Sequence, residues 1–194
     1  MKRSIPKLPA TFRFADARRA GLSKRAIYRL RDTGQLQALG AGLYRRADGE
    51  QTADVDLIAV ARRAPRATLC LTTALARHEL TDAIPAALDI ALPRGTRAPR
   101  VSVPVAWHFF DRKTFELGRQ RVSLEAGTEI GIYSPERCIV DAFRMKGSIG
   151  PDLGRASLRA WLRGRGSQPV SLLTMARSFP RCEPAIRGAL ELLL

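Results

Sequence analysis

The sequence predicts an α+β protein: a small helical module with a hairpin, then a larger mixed α+β domain that ends in helices. Three observations carry this expectation. Apolar residues recur with helical spacing in residues 15–33, and again in most of the chain after Ser134. Between these regions, residues 88–92, 103–110, 119–124 and 128–133 show the alternation or β-branched content of strands. Charge is concentrated at the start, where residues 1–50 hold 12 of the 33 Lys and Arg but only 4 of the 18 Asp and Glu.

Each element has its own local reason. Residues 1–8 are basic and expected to be loose. Residues 15–20 form a short helical stretch that Gly21 stops. Ser23 is a good N-cap, and residues 24–33 read as a helix. Ala26, Ile27 and Leu30 share one face of it; Lys24, Tyr28 and Arg31 lie on another, with Arg25 and Arg29 beside them. Gly34 ends this helix. Residues 36–39 and 43–46 read as two short strands turning through Gly40, Ala41 and Gly42. The polar stretch 47–51 marks a boundary, which divides the chain into 1–50 and 51–194. Thr52 is placed to cap a helix over 53–63. Residues 69–71 are expected to be extended and 72–79 helical. The four strands come next, with a basic loop over 94–100. Ser134-Pro135 supplies an N-cap and a first-turn proline, followed by the apolar stripe of Cys138, Ile139, Ala142 and Phe143. Residues 148–150 are expected to turn the chain before helices at 152–163, 170–179 and 183–193.

Composition narrows the function. The formal charge is +15 and the isoelectric point about 11.2, which favours a polyanionic partner, nucleic acid foremost. No run of residues is apolar enough to span a bilayer. The basic start has no apolar segment behind it, so a cytoplasmic protein is expected. Cys70, Cys138 and Cys182 are far apart and odd in number, which argues against disulfides and zinc. Cys70 and Cys138 read as core residues. His78 is expected to bond locally and His108 to sit in a sheet without an obvious partner; Asp141 and Arg144 are spaced for an intrahelical pair. No phosphate-cradling loop, nucleophile elbow or metal-ligand spacing is visible, so no cofactor, no metal and no enzyme activity are expected.

Residues 15–33 fit a helix-turn-helix, in which the second helix enters the major groove N-terminus first. The candidate DNA-binding residues are Ser23, Lys24, Arg25, Tyr28, Arg29 and Arg31 on that helix, and Arg45 and Arg46 on the hairpin behind it. Arginine can fork onto a guanine edge, and Lys or Tyr can reach bases or phosphates. Arg94, Arg97 and Arg100 are expected as accessory phosphate contacts.

The stretch FADARRAGLSKRAIYRLRDTGQLQALGAGLYRR, residues 14–46, resembles the N-terminal winged helix of the AbiEi family, antitoxins of type IV toxin–antitoxin (abortive infection) systems. TTALARHELTDAIP at 72–85, IALPRGTRAP at 90–99 and YSPERCIVDAFRMKGSIG at 133–150 resemble segments of the domain that follows it in the family. The resemblance implies a repressor that binds double-stranded operator repeats upstream of its own operon. It implies a body that counters a nucleotidyltransferase-like toxin. It places the recognition helix on 23–31 and the wing on 36–46. One departure stands out: MKRSIPKLPATFRF, with Pro6 and Pro9, does not read as a full first helix, so either that helix is missing or the start of the sequence is late. The alternative is a protein-interaction module that neutralises a toxin or its target without reading DNA. RNA binding ranks third, since aromatic content is 6% and no stacking platform shows.

Overall fold

The computed structural model of the chain describes residues 8–40, 42–48, 54–125, 128–149 and 152–193. The expectations for the basic start, for Ala41 in the turn, for most of the boundary stretch, for Thr52 as a cap and for Gly150 lie outside the described residues. Two compact units divide the chain. Unit 1 comprises Met1–Pro65, Pro99–Val103 and Val122–Ile130; unit 2 comprises Arg66–Ala98, Pro104–Arg121 and Gly131–Leu194.

Unit 1 contains β1 (Thr11–Arg13), α1 (Phe14–Arg19), α2 (Lys24–Asp32), β2 (Leu36–Gly40), β3 (Leu43–Arg46) and α3 (Val55–Arg63). The strands form a sheet in the order β1-β3-β2, with both pairs antiparallel. β1 was not read from the sequence, because three residues are too few for an alternation to register. The expected two-stranded hairpin is thus a three-stranded sheet. Helix α2 forms where its spacing says. Ser23 Oγ accepts from the Ala26 backbone N–H at 3.1 Å, and Ile27 is fully buried. Phe12, Ala17, Ile27, Leu36 and Tyr44 make the core, with Leu8, Phe14, Leu22 and Leu30 packed around it.

The turn of the wing is tied from a distance. Ladder register slips between Ala38 and Gly40, and Gly40 has φ +91°, a conformation that glycine adopts without strain. Ser102 Oγ donates to the Leu39 carbonyl at 2.7 Å. A Cβ on Gly40 would stand 2.6 Å from that hydroxyl.

After α3 come β4 (Thr68–Leu69), α4 (Leu71–Arg77), β5 (Leu88–Pro93), β6 (Val105–Phe110), β7 (Arg119–Glu125) and β8 (Thr128–Tyr133), all in unit 2 except the part of β7 from Val122 and the part of β8 up to Ile130. The helices α5 (Pro135–Arg144), α6 (Lys146–Ile149), α7 (Asp152–Arg163), α8 (Pro169–Arg177) and α9 (Cys182–Glu191) follow. The chain is therefore α+β with helices at its C-terminal end. The sheet runs β6-β5-β4-β8-β7. β5 is antiparallel to β4 and parallel to β6, and β4 is parallel to β8. Two boundaries differ from the sequence reading. Extended backbone at 69–71 gives way to a strand that stops at Leu69 and a helix that starts at Leu71, whose φ is +44°. The apolar run of Leu69, Cys70 and Leu71 suits a strand or a buried helix start equally, so it hides this sharp turn. The turn expected at 148–150 is not one at its first two residues: Ser148 and Ile149 lie inside the short helix α6.

Helix α5 is the hub, packing against α4, α7, α8 and α9. Ser134 caps it through Arg137 N–H, with Pro135 in the first turn. Arg137 is fully buried. Its Nε donates to Asp141 Oδ2 at 2.8 Å, and its Nη1 donates to the carbonyls of Thr114 and Leu117, each at 2.7 Å. The guanidinium carbon lies 4.2 Å from the Tyr133 ring centroid and 4.5 Å from that of Phe179. Arg144 reaches Asp141 Oδ1 at 3.0 Å, so the intrahelical pair read from the sequence is the outer part of a buried triad. Burial pushes the Asp141 carboxyl above its ordinary value, and Arg137 and Arg144 oppose the rise.

Gly118 ends the loop that Arg137 holds. Its φ is +69°, and a Cβ there would meet Arg137 Cβ at 2.9 Å and Met175 Cε at 3.0 Å. Gly118→Ala is expected to destabilise the protein by more than about 1 kcal/mol, through backbone strain and displacement of a buried side chain. Thermal or urea unfolding checks this; an unchanged midpoint would contradict it.

Candidate nucleic-acid interface

Lys24, Arg25, Tyr28, Arg29 and Asp32 line a shallow concavity on α2. All five are exposed. The helix turns about 100° per residue, which places Arg25, Tyr28 and Asp32 within about 60° of one another. That line lies opposite the buried side of Ala26, Ile27 and Leu30. Lys24 and Arg29 fall on its two flanks. Among the described residues, Lys24, Arg25 and Arg29 have no carboxylate partner.

Tyr28 is held in place from several sides. Its ring lies 6.4 Å from Phe14, tilted by 41°. Phe14 in turn meets Tyr44, and Tyr44 stacks with Phe12 in the core. Lys24 Nζ stands 5.7 Å from the Tyr28 centroid and the Arg31 guanidinium 5.0 Å from it. Arg31 also donates twice to Asp32 Oδ1, at 2.9 and 2.7 Å. That hydrogen bond holds the Arg31 guanidinium above its ordinary pKa. Arg31 is thereby neutralised and laid over a ring, a different situation from Arg25 and Arg29, six and two residues before it. Ser23 acts through the helix, as its N-cap.

The wing arginines are less free than their sequence positions suggest. Arg45 is 7% exposed, on a central strand whose residues Leu43 and Tyr44 are buried as well. Arg46 pairs with Asp48 through two hydrogen bonds, at 2.8 and 2.6 Å. This contact keeps the Asp48 carboxyl below its ordinary value.

Residues 7–47 match the family model described as transcriptional regulator, AbiEi antitoxin. The N-terminal module is similar to an AbiEi module over these residues. The match takes in β1, both short helices and the wing, and ends before α3. No curated protein matches the chain.

Outside the matched residues, Arg94, Arg97 and Arg100 are all exposed. The Arg94 carbonyl accepts from Arg112 Nε at 2.8 Å, which adds a fourth arginine beside this loop. Both histidines differ from their sequence readings. His78 bonds not locally but to the Tyr133 carbonyl, at 2.7 Å. His108 does have a partner, Asp89 Oδ1 on the adjacent strand at 2.8 Å. Neither partnership can be read from one sequence: the pairing of β5 with β6 creates the one at His108, and the place of the α4 C-cap beside the end of β8 creates the one at His78. Cys70 and Cys138 are fully buried, and burial pushes both thiols well above their ordinary values. Among the described residues, no three His, Cys, Asp or Glu stand together as metal ligands. No described helix is long and apolar enough to cross a membrane.

Proposed function

We propose that the protein is a DNA-binding transcriptional repressor that acts on operator repeats upstream of its own operon. It serves there as a cytoplasmic type IV antitoxin countering a nucleotidyltransferase-like toxin. The observation that supports this most is the face of α2. Within the matched residues, three cations without carboxylate partners surround a braced tyrosine on a helix whose N-terminus is properly capped.

The angular order of that face suggests a division of labour. Arg25, central and near the N-terminus, reads a base edge in the major groove, where arginine forks onto guanine. Tyr28 fills the groove floor one turn later. Lys24 and Arg29 grip phosphates on either side. Arg31 is a positioning residue that keeps the Tyr28 ring in place. Arg46 contributes to phosphate binding only after leaving Asp48, and Arg45 after leaving its buried site. Arg94, Arg97 and Arg100 add sequence-independent attraction.

A mobility-shift assay at two salt concentrations tests the reading, comparing DNA upstream of the gene with a scrambled duplex. A preference that survives the higher salt is expected. Equal binding to both duplexes, collapsing with salt, would reduce the interaction to a +15 chain adhering to phosphate. In the same assay, Lys24→Ala and Arg29→Ala should each weaken binding to every sequence and flatten the salt slope by about one unit.

A further inference from the structure

One group on the α2 face has no part in the division of labour above. Asp32 is the last residue of α2 and lines the same concavity as Lys24, Arg25, Tyr28 and Arg29. On a surface that meets phosphate, a carboxylate costs affinity through like-charge repulsion. Helical spacing offers it a cation three residues back, at Arg29. Asp32 pairs instead with its neighbour: Arg31 donates twice to Oδ1, at 2.9 and 2.7 Å. Among the described residues, nothing donates to Asp32 Oδ2. The side chain is 61% exposed.

Position gives this oxygen a target. Arg25 and Asp32 are seven residues apart, about 20° short of two full turns, so they leave α2 along one line, about 10.5 Å apart. The concavity extends from the first residue of α2 to the last, so the helix presents its whole length and not its N-terminal turn alone. Base pairs are stacked about 3.4 Å apart. With α2 along the major groove and Arg25 on one base edge, Asp32 stands over an edge about two to three base pairs away.

Chemistry selects that edge. A carboxylate only accepts hydrogen bonds. Guanine shows it O6 and N7, and thymine O4, all acceptors. Adenine sets N7 beside its amino group, whereas cytosine shows the N4 amino group alone. Arg31 makes the contact compatible with DNA. Bonded to Oδ1, it offsets the charge that phosphates would repel and holds the carboxylate away from Arg29, which stays free to grip the backbone.

We propose that Asp32 is a specificity-determining residue. Its Oδ2 accepts from the amino group of a cytosine, about two to three base pairs from the base that Arg25 reads. The proposal rests on the reading of α2 as the helix that enters the major groove.

Selection from a random duplex pool tests it, using the full chain as wild type, Arg25→Ala, Asp32→Asn and Asp32→Ala. The wild type should enrich cytosine at that distance from the position that Arg25→Ala relaxes. Asp32→Asn should replace this cytosine with adenine, favoured roughly five- to a hundredfold, because an amide forks onto adenine N6 and N7. Asp32→Ala should leave the position without preference, and both variants should keep the rest of the site. Circular dichroism checks that the fold is retained. A cytosine that both variants still enrich, or a wild-type site with no cytosine there, would overturn the proposal while leaving the module a reader of DNA. Loss of the whole site in both folded variants would also overturn it, and would reduce Asp32 to a brace for Arg31 and Tyr28. A wild type that enriches no sequence would remove the reading of α2 itself, and the proposal with it.

Discussion

Arg137→Met is expected to lower the unfolding free energy by about 3–5 kcal/mol, because removing one member of a buried ion pair strands the other. Asp141 is fully buried and would keep only Arg144, whose side chain is 31% exposed. Two further acceptors, the Thr114 and Leu117 carbonyls, would lose the short bond from Arg137, leaving Thr114 only the longer one from Leu117 N–H at 3.3 Å. Methionine approximates the volume between the Tyr133 and Phe179 rings, so the loss reports on charge and hydrogen bonding more than on a cavity. Guanidinium titration of the wild type and Arg137→Met measures it. Adding Asp141→Leu should recover part of the loss, since a well-packed apolar pair often replaces a buried ionic one at little cost. A loss below 1 kcal/mol, or a double variant weaker than the single, would show that the triad does not hold α5 to the loop before β7.

Arg25→Ala should weaken binding to the upstream DNA by about 1–3 kcal/mol, roughly five- to a hundredfold, and relax the base preference at one position of the site. The other α2 variants provide the comparison. Arg29→Ala should weaken all duplexes alike, because a phosphate contact carries no sequence information. Arg31→Ala should act through Tyr28, since its own charge is already paired with Asp32. Selection from a random duplex pool, with and without Arg25, reads both quantities. If the enriched sequence is unchanged in Arg25→Ala, another residue reads the base at that position. If no sequence is enriched by the wild type, the module does not read DNA.

Local patterns in the sequence carried the helices well. Ser23 before the Ala26, Ile27 and Leu30 stripe, and Ser134-Pro135 before the Cys138 stripe, each combine a cap with a period; cap and period act within one turn of chain. The candidate interface was legible for the same reason, since its residues sit on one short helix. Nonlocal pairing was not legible. Nothing around Thr11 shows that it pairs opposite Arg45. Nothing in VAWHFF shows that it ends a sheet. Nothing in PERCIVD shows that its arginine is enclosed by Tyr133 and Phe179. The restraint on Arg31 lay in plain view, because Asp32 is its neighbour; spacing rules for helices look three and four residues ahead and pass over an adjacent pair.

Ser102 is bonded to the wing from more than sixty residues further along the chain than Leu39, a separation of 63. Residues 7–47, the segment that the family model matches, therefore do not contain every contact that holds the wing. A gene fragment encoding residues 7–47, fused to another protein, arrives without the hydroxyl that fixes its turn.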